Sequence, residues 1–293
     1  MSPLFRDVSS ETTSKHADAT TTRAEWCRLL HPDLLLDLVL SSLISGLPLL
    51  LPTHTRPLPM QSPVAGVPPV YSRAFHLDQP YVADTVSNGV LMAIISLLPL
   101  CCELIISLVA PVRGAVKASF QAYIWTMGLQ LLIVSSLKSY CGYWRPYFLS
   151  ECGFNATLAE CTEAHYEHAY RSFPSGHSAT SLGVLLLVSL RLIGAAQIGH
   201  VSRRVALTRR VSVAVDGLLL LLALTPVLLG CWISASRVYD NAHHPADVVG
   251  GGVIGVASAL LYHGRYFHPS FGPDAYRPRE EHADAPSAAV QAL

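Results

Sequence analysis

The sequence predicts an all-α, polytopic membrane protein with six transmembrane helices, and three observations carry that prediction. Hydrophobic residues make up 51% of the 293-residue chain and charged residues only 14%, against roughly 25% charged in a soluble domain. The apolar residues collect into six runs close to the ~20 residues that a helix needs to cross hydrocarbon. Charges are scarce inside these runs and gather at their ends, where a charge beside lipid is least costly.

Residues 1–33, polar and rich in Ser and Thr, are read as an N-terminal tail. They lack the apolar core of a signal peptide, so any targeting signal is expected to be a transmembrane segment itself. The first run covers 34–51, interrupted by Asp37 and softened by Pro48, and is the weakest of the set. A loop rich in Pro and His leads to the second run, 90–110, whose single charge is Glu103 and which Pro111 stops. A very short connection gives the third run, 118–137, which ends on Lys138. After a chemically varied loop come the fourth run, 177–196, and a basic connection with Arg203, Arg204, Arg209 and Arg210. The fifth run, 213–233, and the glycine-rich sixth, 246–263, complete a membrane domain spanning 34–265; glycine there allows helices to pack closely. Residues 266–293 are read as a polar C-terminal tail.

An even number of spans puts both tails on one side, together with Arg113, Lys117 and the basic connection. The positive-inside rule makes that side cytoplasmic. Asn155-Ala156-Thr157, in a loop assigned to the other side, fits a glycosylation acceptor at Asn155. Cys152 and Cys161 share that loop, and an oxidising lumen would allow a disulfide between them.

A formal net charge of zero argues against a nucleic-acid partner. Seven cysteines without a paired C-x-x-C pattern argue against structural zinc. No acidic cluster resembles a magnesium or zinc cage, so neither metal nor cofactor is expected.

Helix alternation has a chemical consequence. Odd spans end, and even spans begin, on one face, so three polar clusters meet at the outer rim of the bundle. The first holds Lys138 and Arg145 among Tyr143, Trp144 and Tyr147; taken alone, these cations could equally be snorkelling charges in an aromatic belt. In the second, Ser175 and Gly176 open a helix whose bare N–H groups and dipole favour an anion, with His177 beside them. By itself that cluster reads as an ordinary capped helix start. The third supplies Arg237, His243 and Asp247. If helical, His243 and Asp247 share a face, and Asp247 can hold one ring N–H so that the other nitrogen is free to attack. His244 then points elsewhere, and Asp240 reads as a solvated or capping acid.

Together these groups suit a phosphate monoester: three cations to balance a dianion, one histidine to attack phosphorus and one to protonate the leaving oxygen. The spacing Lys138-x6-Arg145-Pro146, Pro174-Ser175-Gly176-His177 and Ser236-Arg237-x5-His243-x3-Asp247 resembles the tripartite signature of the type 2 phosphatidic acid phosphatase superfamily. The surrounding wording, GYWRPYFLSEC, FPSGHSA and SRVYDNAHHPADVVGG, is similar to its lipid phosphate phosphatase branch. The resemblance implies the six-helix phosphatase/haloperoxidase-type bundle with its site on the lumenal or extracellular face. It also implies magnesium-independent hydrolysis of phosphatidate, lysophosphatidate, diacylglycerol pyrophosphate or a sphingoid phosphate. Carried over by position, His243 is the nucleophile forming a phosphohistidine, His177 the general acid and Asp247 the group that orients His243. Lys138, Arg145, Ser175, Gly176 and Arg237 would bind phosphate. Segment 78–86 matches the family's outer loop only loosely. A lipid phosphotransferase using the same phosphohistidine and a non-catalytic membrane scaffold are the competing readings; vanadate haloperoxidases share the motifs but are soluble. Membrane lipids are the expected surroundings, and the sequence is compatible with an oligomer.

Overall fold

The computed structural model describes residues 31–56, 75–155, 160–162, 167–198, 209–272 and 274–279, together with Arg23 and Trp26. Seven long helices dominate: α1 (Pro32–Gly46), α2 (Asn88–Val109), α3 (Ala115–Cys141), α4 (Gly176–Ala196), α5 (Arg209–Ala223), α6 (Thr225–Tyr239) and α7 (Pro245–Tyr266). They form six segments long and apolar enough to cross a membrane, α5 and α6 together supplying the fifth as Val211–Tyr239. The chain is therefore an integral, multi-pass membrane protein.

The runs read from sequence as spans thus appear as helices, with one correction. The fifth is not a continuous helix but breaks at Leu224, because Pro226 sits in the first turn of α6. Proline has no N–H to bond the carbonyl four residues back, and its ring crowds that carbonyl. The carbonyl concerned is that of Leu222, and the Thr225 hydroxyl donates to it instead, at 2.7 Å. Most of the basic connection lies outside the described residues, as do most of the N-terminal tail and residues 280–293.

α4 is the central post: two-thirds of its most apolar stretch is buried, more than in any other span. α7 lies against it through small residues. A Cβ added at Gly251 would collide with the Ser175 carbonyl oxygen, and one at Gly255 with that of Ala179. Close backbone contact of this kind holds helices together where lipid removes the hydrophobic drive. It also fixes the start of α7 against the start of α4, where two of the three polar clusters lie.

Ion pairs confirm the alternation of the helices. Near the ends remote from those clusters, Lys117 of α3 meets Asp33 of α1 at 3.1 Å, and Arg191 of α4 meets Glu103 of α2 at 2.9 Å. Trp26, within the predicted tail, donates to Ser107 near the end of α2 at 3.1 Å. At the opposite end a small cap forms around Leu77, Trp144, Tyr147, Phe148, Leu149, Cys152 and Phe154. Cys152 and Cys161 are joined in a disulfide there, beside a two-stranded hairpin, β1 (Phe154–Asn155) and β2 (Glu160–Cys161).

Candidate active site

Lys138 lies in the last turn of α3, which Gly142 closes in a left-handed conformation (φ 50°). The chain then crosses the rim, pinned by two backbone hydrogen bonds: Arg145 N–H to Ala169 O at 2.6 Å and Ser172 N–H to Tyr143 O at 2.9 Å. Arg145 is thereby held over the mouth of the bundle. Its Nε is buried and has no hydrogen-bond partner among the described residues, an uncommon state for so strong a donor.

The second cluster opens α4. Ser175 is its N-cap: fully buried, it accepts from Ser178 N–H at 3.4 Å, and its own N–H donates to the Asp247 carbonyl at 2.9 Å. Ser175 fastens α4 to α7 through its N–H and caps α4 with its hydroxyl; Gly176 and His177 line the cavity. The first N–H groups of a helix have no intrahelical acceptor, so this turn keeps its attraction for an anion. One ring nitrogen of His177, Nε2, lies 3.1 Å from the Val86 carbonyl.

The third cluster contains the main departure from expectation. His243 is not on a helix face with Asp247, because α7 begins only at Pro245, with His244 as N-cap. The two meet through a capping box in which Asp247 accepts the His244 N–H at 2.9 Å. That leaves Asp247 Oδ2 at 3.6 Å from His243 Nδ1, with the Ser172 hydroxyl donating to the same Oδ2 at 2.5 Å and standing 3.5 Å from the ring nitrogen. Ser172 and Asp247 therefore hold the Nδ1 edge jointly. Burial drives the His243 pKa down to about 3, helped by the charges of Arg145 and Lys138 and opposed by the hydrogen bond to Asp247. The imidazole is neutral at physiological pH, so a nucleophilic nitrogen is available.

Arg237, in the last turn of α6, is 1% exposed and pairs with two carboxylates. Asp84 lies at 3.0 Å, and Asp240 makes a short contact with the other nitrogen. Asp240 is not a solvated acid. It is fully buried, and it also accepts the Thr85 N–H at 2.9 Å and the Thr85 hydroxyl at 2.5 Å. A local signal existed for Asp240, three residues beyond Arg237. None existed for Asp84, Thr85 or Ser172, which belong to loops brought in by the fold. His244 does point elsewhere, its Nε2 3.1 Å from the Trp144 carbonyl.

One cavity of about 340 Å³ gathers these groups: Lys138, Arg145, Gly176, His177, Arg237 and His243 line it, with Asp84 and Asn88 at its edge. Ser175 and Asp247 stand behind its wall. Its membrane side is apolar, made by Leu91, Met92, Met127 and Leu131 of α2 and α3, of which Met92 and Leu131 are exposed on the bundle surface. Cations thus sit above an apolar slot between two helices. Asn155 lies in β1 of the hairpin and does not line the cavity; residues 156–159 of its sequon loop lie outside the described residues.

Comparison with known proteins agrees with this arrangement. The PAP2 superfamily pattern matches residues 120–268, just over half of the chain and all three clusters. Among curated proteins, lipid phosphate phosphatase 2 of Arabidopsis thaliana is 29% identical over 161 residues, 50% of each chain. Lipid phosphate phosphatase 1 of the same plant is 29% identical over 164 residues, 50% of this chain and 45% of its own. Diacylglycerol pyrophosphate phosphatase 1 of Saccharomyces cerevisiae is 28% identical over 235 residues, 73% of this chain and 76% of its own. The chain spans about half the length of the two plant relatives. No solved structure matches. From the breadth of the pattern match, which takes in every polar cluster of the rim, the chain belongs to the PAP2 superfamily.

Proposed function

We propose that this protein is a metal-independent lipid phosphate phosphatase that hydrolyses a lipid phosphomonoester, phosphatidate to diacylglycerol and phosphate, through a phosphohistidine on His243. The observation that carries this reading is the single cavity in which three cations and two histidines converge above an apolar slot. Lys138, Arg145 and Arg237 clamp the phosphate oxygens, and the Gly176 end of α4 adds its dipole. His243 presents Nε2, because Asp247 and Ser172 hold the Nδ1 edge. Nε2 attacks phosphorus; the bond from phosphorus to the glycerol oxygen breaks, and His177 gives that oxygen its proton. His177 then takes a proton from water, whose oxygen displaces the histidine and releases phosphate. The acyl chains lie along Leu91, Met92, Met127 and Leu131 and leave sideways into the bilayer.

The site is assigned to the lumenal or extracellular face, because Arg113, Lys117 and the basic connection mark the other end as cytoplasmic. Residues 1–33 and 266–293 are then cytoplasmic tails around a membrane domain at 34–265. Asn155, beside the disulfide, is a glycosylation site on that reading. The relatives' names speak of lipid phosphates and diacylglycerol pyrophosphate, and the three cations gathered in one cavity support the monoester as substrate.

Phosphate release from phosphatidate by the purified protein in EDTA tests the reading. Release by the wild type, absent in His243→Ala, is expected. Equal release by both proteins, or by neither, overturns it.

A further inference from the structure

A second cavity, of about 230 Å³, lies at the other end of the bundle between α2, α3 and α4. Arg191, which lines it, sits about fifteen residues along α4 from Gly176, roughly 22 Å of helix. Val184 and Tyr123 of its wall pack in one core with the fully buried Ile95 and Leu185 and with Leu91, which lines the first cavity. The second cavity is therefore not the far end of the phosphate site.

Its walls are apolar, from Leu100, Ile106, Ala122 and Val188, and Leu100 is 41% exposed at the bundle surface. Its end is polar. Arg191 is bound to Glu103 through Nη2 at 2.9 Å and to Ser119 through Nε at 2.9 Å. Its guanidinium lies 4.4 Å from the centre of the Phe267 ring. Arg191 is only 6% exposed, yet its Nη1 has no hydrogen-bond partner among the described residues. His263 shares this end, with Nε2 3.4 Å from the Ser270 hydroxyl.

Arg191 lines this apolar slot and keeps one buried guanidinium N–H without an acceptor at its end, which asks for an acceptor oxygen carried on a hydrocarbon chain. Charge selects the kind of oxygen. Glu103 already neutralises Arg191, so an anionic head would bring a second negative charge against that carboxylate where screening is weak. An ester carbonyl satisfies Nη1 without that repulsion. We propose that this cavity is a lipid-binding site for an uncharged glycerolipid of the diacylglycerol type, its acyl chain between α2 and α4 and its ester carbonyl on Arg191 Nη1. The site stands apart from the catalytic cavity, and the proposal does not rest on the phosphatase reading.

Photolabelling of the full-length His243→Ala protein, which cannot turn the competitor phosphatidate into diacylglycerol, tests it in detergent micelles, using diacylglycerol with a diazirine in one acyl chain and peptide mass spectrometry. Labels are expected on α2 and α4 around Leu100 and Val188, competed at least fivefold better by unlabelled diacylglycerol than by phosphatidate. Leu100→Trp plugs the mouth from an exposed position and should lower labelling at least fivefold. Glu103→Leu combined with Arg191→Leu removes the donor while keeping the pair's volume apolar, an exchange that buried ion pairs tolerate, and should do the same. Labelling unchanged in both variants, or phosphatidate competing as well as diacylglycerol, overturns the proposal.

Discussion

Replacing Asp240 with asparagine removes one of the two carboxylates that hold Arg237, and the structure sets the size of the effect. Arg237 is 1% exposed and Asp240 fully buried, so water cannot replace the lost charge. Breaking such a pair from one side costs about 3–5 kcal/mol. Asp84 remains at 3.0 Å and keeps the guanidinium partly compensated, which points to the lower end of that range. The two Thr85 donors add to the loss, because they bond different oxygens of Asp240 and the amide keeps only one acceptor. An unsatisfied buried donor costs about 1–3 kcal/mol. A loss near 4 kcal/mol is therefore expected, a large share of a reserve of about 5–15 kcal/mol. The thermal midpoint of the purified protein should fall by roughly 10 °C. Phosphate release should fall about 10²-fold in kcat/KM as the fork of Arg237 loses its aim. Asp84→Asn is the contrast: Asp84 is 36% exposed and lines the cavity, so the midpoint should hold while KM falls as a competitor for the guanidinium is weakened. Wild-type stability and activity in Asp240→Asn would refute the reasoning.

Three further outcomes follow from the geometry. Ser172→Ala removes a donor from the buried Asp247 carboxylate, a charge-assisted bond of about 1.5–3 kcal/mol, and should lower kcat roughly 10-fold or more with KM unchanged; a change in KM alone would contradict that role. Gly255→Leu forces side-chain atoms into the Ala179 carbonyl and should abolish monodisperse elution by separating α7 from α4; normal elution and activity would contradict the close packing. The neutrality of His243 predicts a flat pH response: an ordinary histidine loses about 30-fold in its neutral fraction from pH 7.5 to 5. A group held to about 3 loses almost none, so carbethoxylation of His243, followed by peptide mass spectrometry, should change less than twofold. The same depression means that the unfolded chain binds the extra proton first, so stability contributed by neutral His243 is present above about pH 6.5 and drains away as pH falls toward 3.

The motif residues were legible because their spacing and the alternation of spans need no tertiary information. Lys138, Arg145, Gly176, His177, Arg237 and His243 were expected on one rim and do line one cavity. What stayed hidden depended on local backbone or on loops. The break at Leu224 follows from Pro226, a signal present in the sequence but outweighed by the apolar run around it. The relation of His243 to Asp247 came from a capping box rather than a helix face, since Pro245 at the first turn places His243 before the helix. The motif around Ser175 gave no sign that its N–H also joins two helices. Asp84, Thr85 and Ser172 had no periodic signature, because long-range loop packing carries them to the rim.

The central claim is that His243 takes the phosphoryl group, and an acid-labile, base-stable bond can be caught directly. Protein mixed with ³²P-labelled phosphatidate in EDTA and quenched in alkali within milliseconds should carry label on one peptide, at His243. No label should appear in His243→Ala. Turnover in the wild type with no protein-bound phosphate under that quench, or label residing on another residue, would contradict the account.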